Sequence, residues 1–169
     1  MATETLVKIS QDVPREHVDE MVRFLERTGA SDSIPPPYAA ADGYSDLLCS
    51  SLRADRVQRG KVSCLLSVGP PLLNAYGGLH GGAVAAVAER VAIGCARTVM
   101  HKDKELFLGE LSISYLSAAP QNSELIIDAS VVRTGRNVTV VEVNFKSKKS
   151  EKLAFAARAT FFNMPLAKL

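Results

Sequence analysis

The 169-residue sequence has no tryptophan, and aromatic residues make up only 6% of it. A surface on which nucleic-acid bases stack is therefore not expected. The net charge is only +2, which argues against a general electrostatic attraction to nucleic acid. No apolar run approaches the roughly 20 residues that a membrane-spanning helix needs. We therefore predict no nucleic-acid partner and no membrane partner.

Cysteine is also scarce. The three cysteines are Cys49, Cys64 and Cys95, none of them in a C-x-x-C pair. Each stands among leucine, valine, isoleucine or alanine. The pattern predicts reduced, buried thiols in an intracellular protein rather than disulfides or a metal site.

The two ends of the sequence bear on localisation. The N-terminal region has no apolar segment typical of a secretory signal, and its acidic residues do not suit an organelle transit peptide. The last three residues, Ala167-Lys168-Leu169, differ by one small residue from the S-K-L peroxisomal address. We predict a peroxisomal protein recognised by the import receptor, with the cytoplasm as the alternative.

The length suits one domain preceded by an extension, and we predict the boundary between residues 44 and 45. Within the extension, residues 15–28 have helical apolar spacing, Gly29 ends the helix, and the proline-rich stretch 30–43 is a loop. From about 46 to 69 the period changes to two, which predicts two strands joined at Arg59-Gly60.

The remainder predicts a long apolar helix followed by four strands. The helix covers 81–100, and the strands cover roughly 106–118, 123–133, 137–147 and 152–163. Turns are predicted at 134–137 and 148–150. A helix apolar on most of its surface and a sheet long enough to curl round it predict an α+β fold.

One carboxylate interrupts the apolar helix. The helical neighbours of Glu89 are Ala85, Ala86, Ala92 and Ile93, so no basic side chain shares its face. A buried, unpaired carboxylate is costly and marks a candidate functional site. The alternative is a solvated acid on an exposed stripe with Arg90 and Arg97.

The start of the same helix is rich in glycine. His80-Gly81-Gly82 stands where the first backbone N–H groups are unpaired and carry the positive end of the helix dipole. Glycine lets a ligand oxygen approach these amides, which outlines an oxyanion hole. The amide side chain of Asn74, six residues before His80, is placed to contact a carbonyl or a water.

The separation of these groups predicts a dimer. Glu89 follows His80 by nine residues, or roughly 13 Å along a helix axis. Both groups cannot reach one carbon atom in a single chain. Two antiparallel copies would bring the acid of one subunit to the helix start of the other, giving two sites at the interface.

The spaced residues Asn74, His80-Gly81-Gly82 and Glu89, followed by the segment from Gly109 to Ser117, resemble the hotdog-fold acyl-CoA thioesterases. The similarity covers roughly residues 45–163. It is to the branch of phenylacetate-degradation and mitochondrial-type enzymes, and extends to plant thioesterase-like proteins with a peroxisomal C-terminus.

The resemblance implies an antiparallel sheet wrapped round the long helix, and a dimer formed by edge-to-edge strand pairing, often a dimer of dimers. The Gly81 amide would polarise the thioester carbonyl. Asn74 and His80 would shape the loop, and Glu89 of the partner would activate water or attack directly. No cofactor beyond the coenzyme A of the substrate, and no metal, is implied.

The chain departs from the family pattern at two positions, and the resemblance also implies a role for three basic residues. Many relatives have Asp where this chain has Glu89, and some have Ser or Thr where it has Leu108, next to Gly109. Gly82, Leu108 and Gly109 are predicted to contact substrate. Arg133, Arg136 and Lys146 are predicted around a strand turn that meets the phosphates of coenzyme A, with solvated surface charge as the alternative.

The sequence leaves three functions open. The first is hydrolysis of acyl-CoA. The second is a hydratase or dehydratase acting on acyl thioesters, in which His80 itself would move a proton. The third is an acyl-CoA-binding protein without activity, an alternative that the apolar Leu108 supports.

Overall fold

A computed structural model describes residues 8–10, 12–26, 43–100 and 104–165. The predicted helix end at Gly29, nearly all of the predicted loop 30–43 and the tripeptide Ala167-Lys168-Leu169 lie outside these ranges.

The chain contains three α-helices, one 3-10 helix and seven strands in the described ranges. The helices are α1 (Arg15–Glu26), α2 (Gly43–Ser51) and α3 (Gly81–Arg97), and the 3-10 helix is Pro70–Leu72. The strands are β1 (Lys8–Ile9), β2 (Leu52–Gln58), β3 (Lys61–Ser67), β4 (Lys104–Tyr115), β5 (Glu124–Thr134), β6 (Val138–Ser147) and β7 (Leu153–Pro165).

The strands form one sheet in the order β1-β2-β3-β5-β6-β7-β4. All neighbours are antiparallel except β1 and β2, which are parallel. Alternate residues of β3, β5, β6 and β7 are buried, as period-two spacing requires of strands with one face on a core. The predicted α+β arrangement is confirmed.

Helix α3 lies against the inner face of this sheet and contacts β3, β4, β5, β6 and β7. Its valines and most of its alanines are buried, because small side chains let the helix approach the strands closely. Helix α1 packs on α3, with Val18 and Met21 buried. The sheet and the two helices thus enclose one hydrophobic core.

Side-chain hydrogen bonds hold two turns of the sheet, the first at the end of α3 and the second at β7. Gly60, in the predicted β2–β3 turn, has a φ of +72°, which favours glycine. Its N–H donates to Thr98 Oγ1 at 2.8 Å, just beyond the helix. At the β5–β6 turn, Asn163 Nδ2 donates to Gly135 O at 2.8 Å, and the buried Thr139 hydroxyl donates to Asn163 Oδ1 at 3.0 Å.

One prediction about the elements is wrong, and one element was missed. Residues 46–51, expected at the start of a strand, belong to α2, so β2 begins only at Leu52. The short strand β1 was not predicted, because two residues show no periodicity. The other predicted strands and the long helix occur within three residues of their predicted limits.

The domain boundary at residue 44 stays a prediction. Strand β1 is hydrogen-bonded to β2, so described residues on both sides of that boundary share the sheet. Over the described ranges, no helix has both the length and the hydropathy that crossing a bilayer requires.

Candidate functional site

Asn74 organises the loop before α3. Its side-chain Oδ1 accepts from the N–H groups of Tyr76 at 2.9 Å and Gly78 at 3.1 Å. Its backbone N–H donates to Gly78 O, and Gly77 between them has a φ of +75°. Both acceptor contacts of the side chain go to loop backbone, so the structure uses Asn74 to shape the loop.

His80 is the N-cap of α3. Its φ of −66° and ψ of 132° are extended, and its Nδ1 accepts from the Gly82 N–H at 2.9 Å. An N-cap acceptor satisfies one of the four N–H groups that a helix start leaves unpaired. The Gly82 N–H, predicted to contact substrate, is therefore engaged by His80.

The Gly81 N–H remains available. Its neighbours are engaged: the His80 N–H donates to Leu72 O, and the Val84 N–H donates to His80 O at 3.0 Å. No acceptor for the Gly81 N–H is found among the residues that the structure describes. This amide stands at the positive end of a helix of 17 residues, where it suits an anionic oxygen.

Glu89 lies two turns further along α3 and is partly exposed in the single chain. The expectation of a buried carboxylate is therefore wrong for one chain alone. Across the described ranges, no hydrogen bond or ion pair to its carboxylate is found. The other partly exposed residues of α3 include Ala85, Ala86 and Ile93 and also Arg90 and Arg97, so the acid stands beside both apolar and basic residues.

Tyr115, which was not predicted as a site residue, contacts the start of α3 from the end of β4. Its hydroxyl donates to Gly81 O at 3.1 Å. The residue was visible in the sequence only as part of the segment that carries the resemblance. Periodicity does not reveal which helix end a strand end reaches, because that contact depends on how the sheet curls.

Leu108 and Gly109 occupy different faces of β4. Leu108 is partly buried and packs against the core. Gly109 is the extra residue of a β-bulge between Leu108 and Glu110. A Cβ at Gly109 would overlap the Phe162 ring, so packing of that ring explains the glycine.

Of the three basic residues expected together, two lie at one turn and the third lies elsewhere. Arg133 and Arg136 are exposed at the β5–β6 turn, and no acidic partner for them occurs in the described part of the chain. Lys146 lies six residues along β6 from Val140, the partner of Arg133, or about 20 Å away. Its Nζ pairs with Asp128 Oδ2 at 3.0 Å. The placement of Lys146 at the turn is therefore wrong.

Two of the cysteines are buried free thiols, as predicted, and Cys49 is half-buried. Burial raises the pKa of Cys64 and of Cys95 to about 12, so both thiols are protonated and unreactive at neutral pH. In the part of the chain that the structure describes, no group of three or more His, Cys, Asp or Glu side chains could hold a metal ion.

Sequence comparisons show that part of the chain is similar to a known family. The model of the thioesterase superfamily matches residues 76–154, which include Gly81, Glu89 and Tyr115. A Caenorhabditis elegans protein named as an unconfirmed esterase is 31% identical over 109 residues, 64% of this chain and 64% of that protein. The chain thus spans just under two thirds of that relative. Human acyl-coenzyme A thioesterase 13 is 28% identical over 60% of this chain and 71% of its own length.

Solved structures share the fold. Zebrafish thioesterase superfamily member 2 superposes with a TM-score of 0.68 at 23% identity, over 86% of this chain and 94% of that chain. A Streptococcus mutans protein solved with bound acetyl-CoA gives a TM-score of 0.63 at 23% identity, over 69% and 91% of the two chains. The predicted hotdog fold, with its sheet wrapped round one long helix, is confirmed.

Proposed function

We propose that this chain, a member of the thioesterase superfamily, hydrolyses the thioester of an acyl-CoA to a free acid and coenzyme A. The observation that carries the proposal is the Gly81 N–H, which is available at the start of α3. The names of the human relative and the ligand of the Streptococcus mutans protein support acyl-CoA as the substrate class.

The Gly81 N–H donates to the thioester carbonyl oxygen and stabilises the negative charge that develops on it. Glu89 of a second copy takes a proton from water, and the resulting hydroxyl adds to the carbonyl carbon. The tetrahedral intermediate collapses with cleavage of the C–S bond. The proton held by the carboxylate passes to the departing sulfur, which leaves as the coenzyme A thiol.

His80 supports hydrolysis better than hydration. Because Nδ1 accepts from the Gly82 N–H, the neutral ring carries its proton on Nε2 and has no second lone pair to act as a base. Protonation of Nδ1 would remove the helix cap. A hydratase in which His80 shuttles the proton would therefore have to break the contact that organises the site.

A second copy of the chain completes the proposed site. β4 forms one edge of the sheet, and a 12-residue edge strand offers a row of backbone groups for pairing. Phe107, Tyr115 and Leu116 on or beside it are 65%, 55% and 59% exposed. Antiparallel pairing of two β4 strands gives a dimer, and two such dimers give the expected dimer of dimers.

The same pairing suggests how the phosphates of coenzyme A are bound. The β5–β6 turn and Gly81 lie at opposite ends of one chain's sheet, as the register of Tyr115 with Phe155 and of Phe107 with Phe162 requires. In an antiparallel dimer, the partner subunit's Arg136 comes to the Gly81 end. Arg133 and Arg136 thus suit phosphate binding across the interface, whereas Lys146 is neutralised by Asp128.

Peroxisomal localisation is proposed from Ala167-Lys168-Leu169, which resembles a receptor-read address. A fluorescent protein fused ahead of residue 1 should collect in peroxisomes. The same fusion lacking the tripeptide should stay in the cytoplasm, and an unchanged distribution would remove the tripeptide from the account.

The test of function is a panel of aliphatic and aromatic acyl-CoAs with thiol release as the readout. We expect release with at least one substrate and a loss of about 100-fold in kcat for Glu89→Gln, the usual scale for removal of a general base. Binding of acyl-CoA without thiol release would instead favour the non-catalytic binding protein. Unchanged turnover of Glu89→Gln would exclude Glu89 from the mechanism.

A further inference from the structure

Tyr115 holds the start of α3 from the outside of the core. Its hydroxyl donates to Gly81 O at 3.1 Å. A Cβ built on Gly81 would lie 3.4 to 3.6 Å from three atoms of the Tyr115 side chain, so the ring covers this residue directly. The ring also packs edge-on against Phe155, with centroids 5.8 Å apart. The side chain therefore rests on β7 while its hydroxyl reaches α3.

Glycine has more backbone freedom than any other residue, so contacts on both sides of Gly81 restrict its backbone. The peptide group before it is held by the Val84 N–H, which donates to His80 O. The peptide group after it is held at both ends: the Gly82 N–H donates to His80 Nδ1, and Gly81 O accepts from Tyr115. These contacts leave the Gly81 N–H as the available donor in a fixed direction.

We propose that Tyr115 is a positioning residue for acyl-CoA hydrolysis, in which its hydroxyl fixes the peptide group that follows Gly81, and with it the backbone of Gly81, so that the Gly81 N–H is preorganised toward the thioester oxygen. The proposal rests on the proposed function. A donor fixed in advance needs no reorganisation as charge develops, so its benefit is realised in the transition state. Tyr115 acts through Gly81 and takes no proton.

The discriminating variant is Tyr115→Phe, which keeps the ring contacts with Gly81 and Phe155 and removes only the hydroxyl. We expect kcat to fall about 5- to 10-fold, the scale of one modest hydrogen bond converted into rate. KM for the acyl-CoA should stay within about twofold, because an interaction that matters chiefly in the transition state changes kcat.

The matched control is Tyr76→Phe. Tyr76 is 97% exposed and lies in the loop before α3. Only its backbone N–H, which donates to Asn74, takes part in the contacts found among the described residues. Its kcat and KM should equal those of the wild type. The mass of each variant in solution is measured as well, because Tyr115 adjoins the proposed dimer edge.

A second readout separates positioning from stability. In an NMR experiment on the intact protein, the Gly81 amide should show a lower order parameter in Tyr115→Phe than in the wild type or in Tyr76→Phe. A lower melting temperature with unchanged kcat and unchanged Gly81 order would assign Tyr115 a purely structural role and overturn the proposal. A rise in KM alone would also overturn it, because Tyr115 would then bind substrate.

The two proposals fail in different ways. If the wild type releases no thiol from any acyl-CoA, the proposed function falls and the positioning role falls with it. If the wild type is active and Tyr115→Phe matches it in kcat, only the positioning role is lost.

Discussion

At the start of α3, two adjacent glycines have different roles. The Gly82 N–H is engaged by His80, whereas the Gly81 N–H has no acceptor in the described ranges. The chemistry proposed for this site thus depends on a backbone group, which side-chain substitution cannot remove. Proline offers a way to remove it, because proline lacks an N–H and is well tolerated at the first position of a helix.

Gly81→Pro should therefore abolish most activity while the helix still forms. His80, the preceding residue, already has the extended conformation that proline requires of its neighbour. We expect a loss of about 100-fold or more in kcat, the usual effect of removing an oxyanion donor. Gly81→Ala is the control, since it adds a Cβ against Tyr115 but keeps the N–H. Equal losses in both variants would show that crowding, and not the donor, matters.

The buried thiols give a pH prediction. The pKa of each thiol is 9.0 when unperturbed and about 12 in the folded chain. Below pH 9 the thiols are protonated in both the folded and the unfolded chain, so they do not affect stability there. As the pH rises from 9 towards 12, the unfolded state loses these protons first and the free energy of unfolding falls.

Replacement of Cys64 and Cys95 by alanine should make that fall shallower. The free energy of unfolding of the wild type and of the double variant is measured by urea unfolding at about pH 8 and about pH 10.5. The same decline in the wild type and in the double variant would mean that other groups cause it.

Sequence reasoning identified the cluster of His80, Gly81 and Gly82 because a histidine and glycines before an apolar run are a local signal. It could not assign the burial of Glu89. In the single chain this side chain is partly exposed, and in the proposed dimer its surroundings also depend on the second copy. Tyr115 was missed since its contact with Gly81 joins residues 34 positions apart.

At the level of elements, the bulge in β4 depends on one glycine. The Phe162 ring covers Gly109, and a Cβ there would overlap that ring. Gly109→Ala should lower the free energy of unfolding by about 1 to 3 kcal/mol, as overpacking usually does.

Phe162→Ala removes the ring and should relieve this penalty, so the double variant should be more stable than the sum of the single changes predicts. Additive effects in denaturant titrations of the four proteins would contradict the packing explanation of Gly109.

The strands and the long helix were predictable because alternation and helical spacing are strong over ten or more residues. Helix α2 was missed, since its nine residues have little amphipathic pattern and merge into β2. Lys146 was misplaced for a different reason. It follows Arg136 in sequence by ten residues of mostly extended chain, so the two could not share one turn.

At the level of the whole molecule, the proposed site needs two chains. Gly81 and Glu89 lie on one helix, roughly 12 Å apart along its axis, too far to act on one carbon atom. The partly exposed stripe of α3 and the free edge of β4 are the surfaces through which a second copy can supply the missing carboxylate. Analytical ultracentrifugation should find a dimer of the 18.1 kDa chain or a multiple of it.

Complementation between two inactive variants tests this arrangement most directly. Gly81→Pro and Glu89→Gln are co-expressed with different affinity tags, and the mixed dimer is isolated by two successive purifications. In the mixed dimer, one site combines the intact Gly81 N–H of one chain with the intact Glu89 of the other. We predict that it regains about half of the wild-type activity per dimer, while each variant alone stays inactive. A mixed dimer as inactive as its parents would contradict a site shared between two chains.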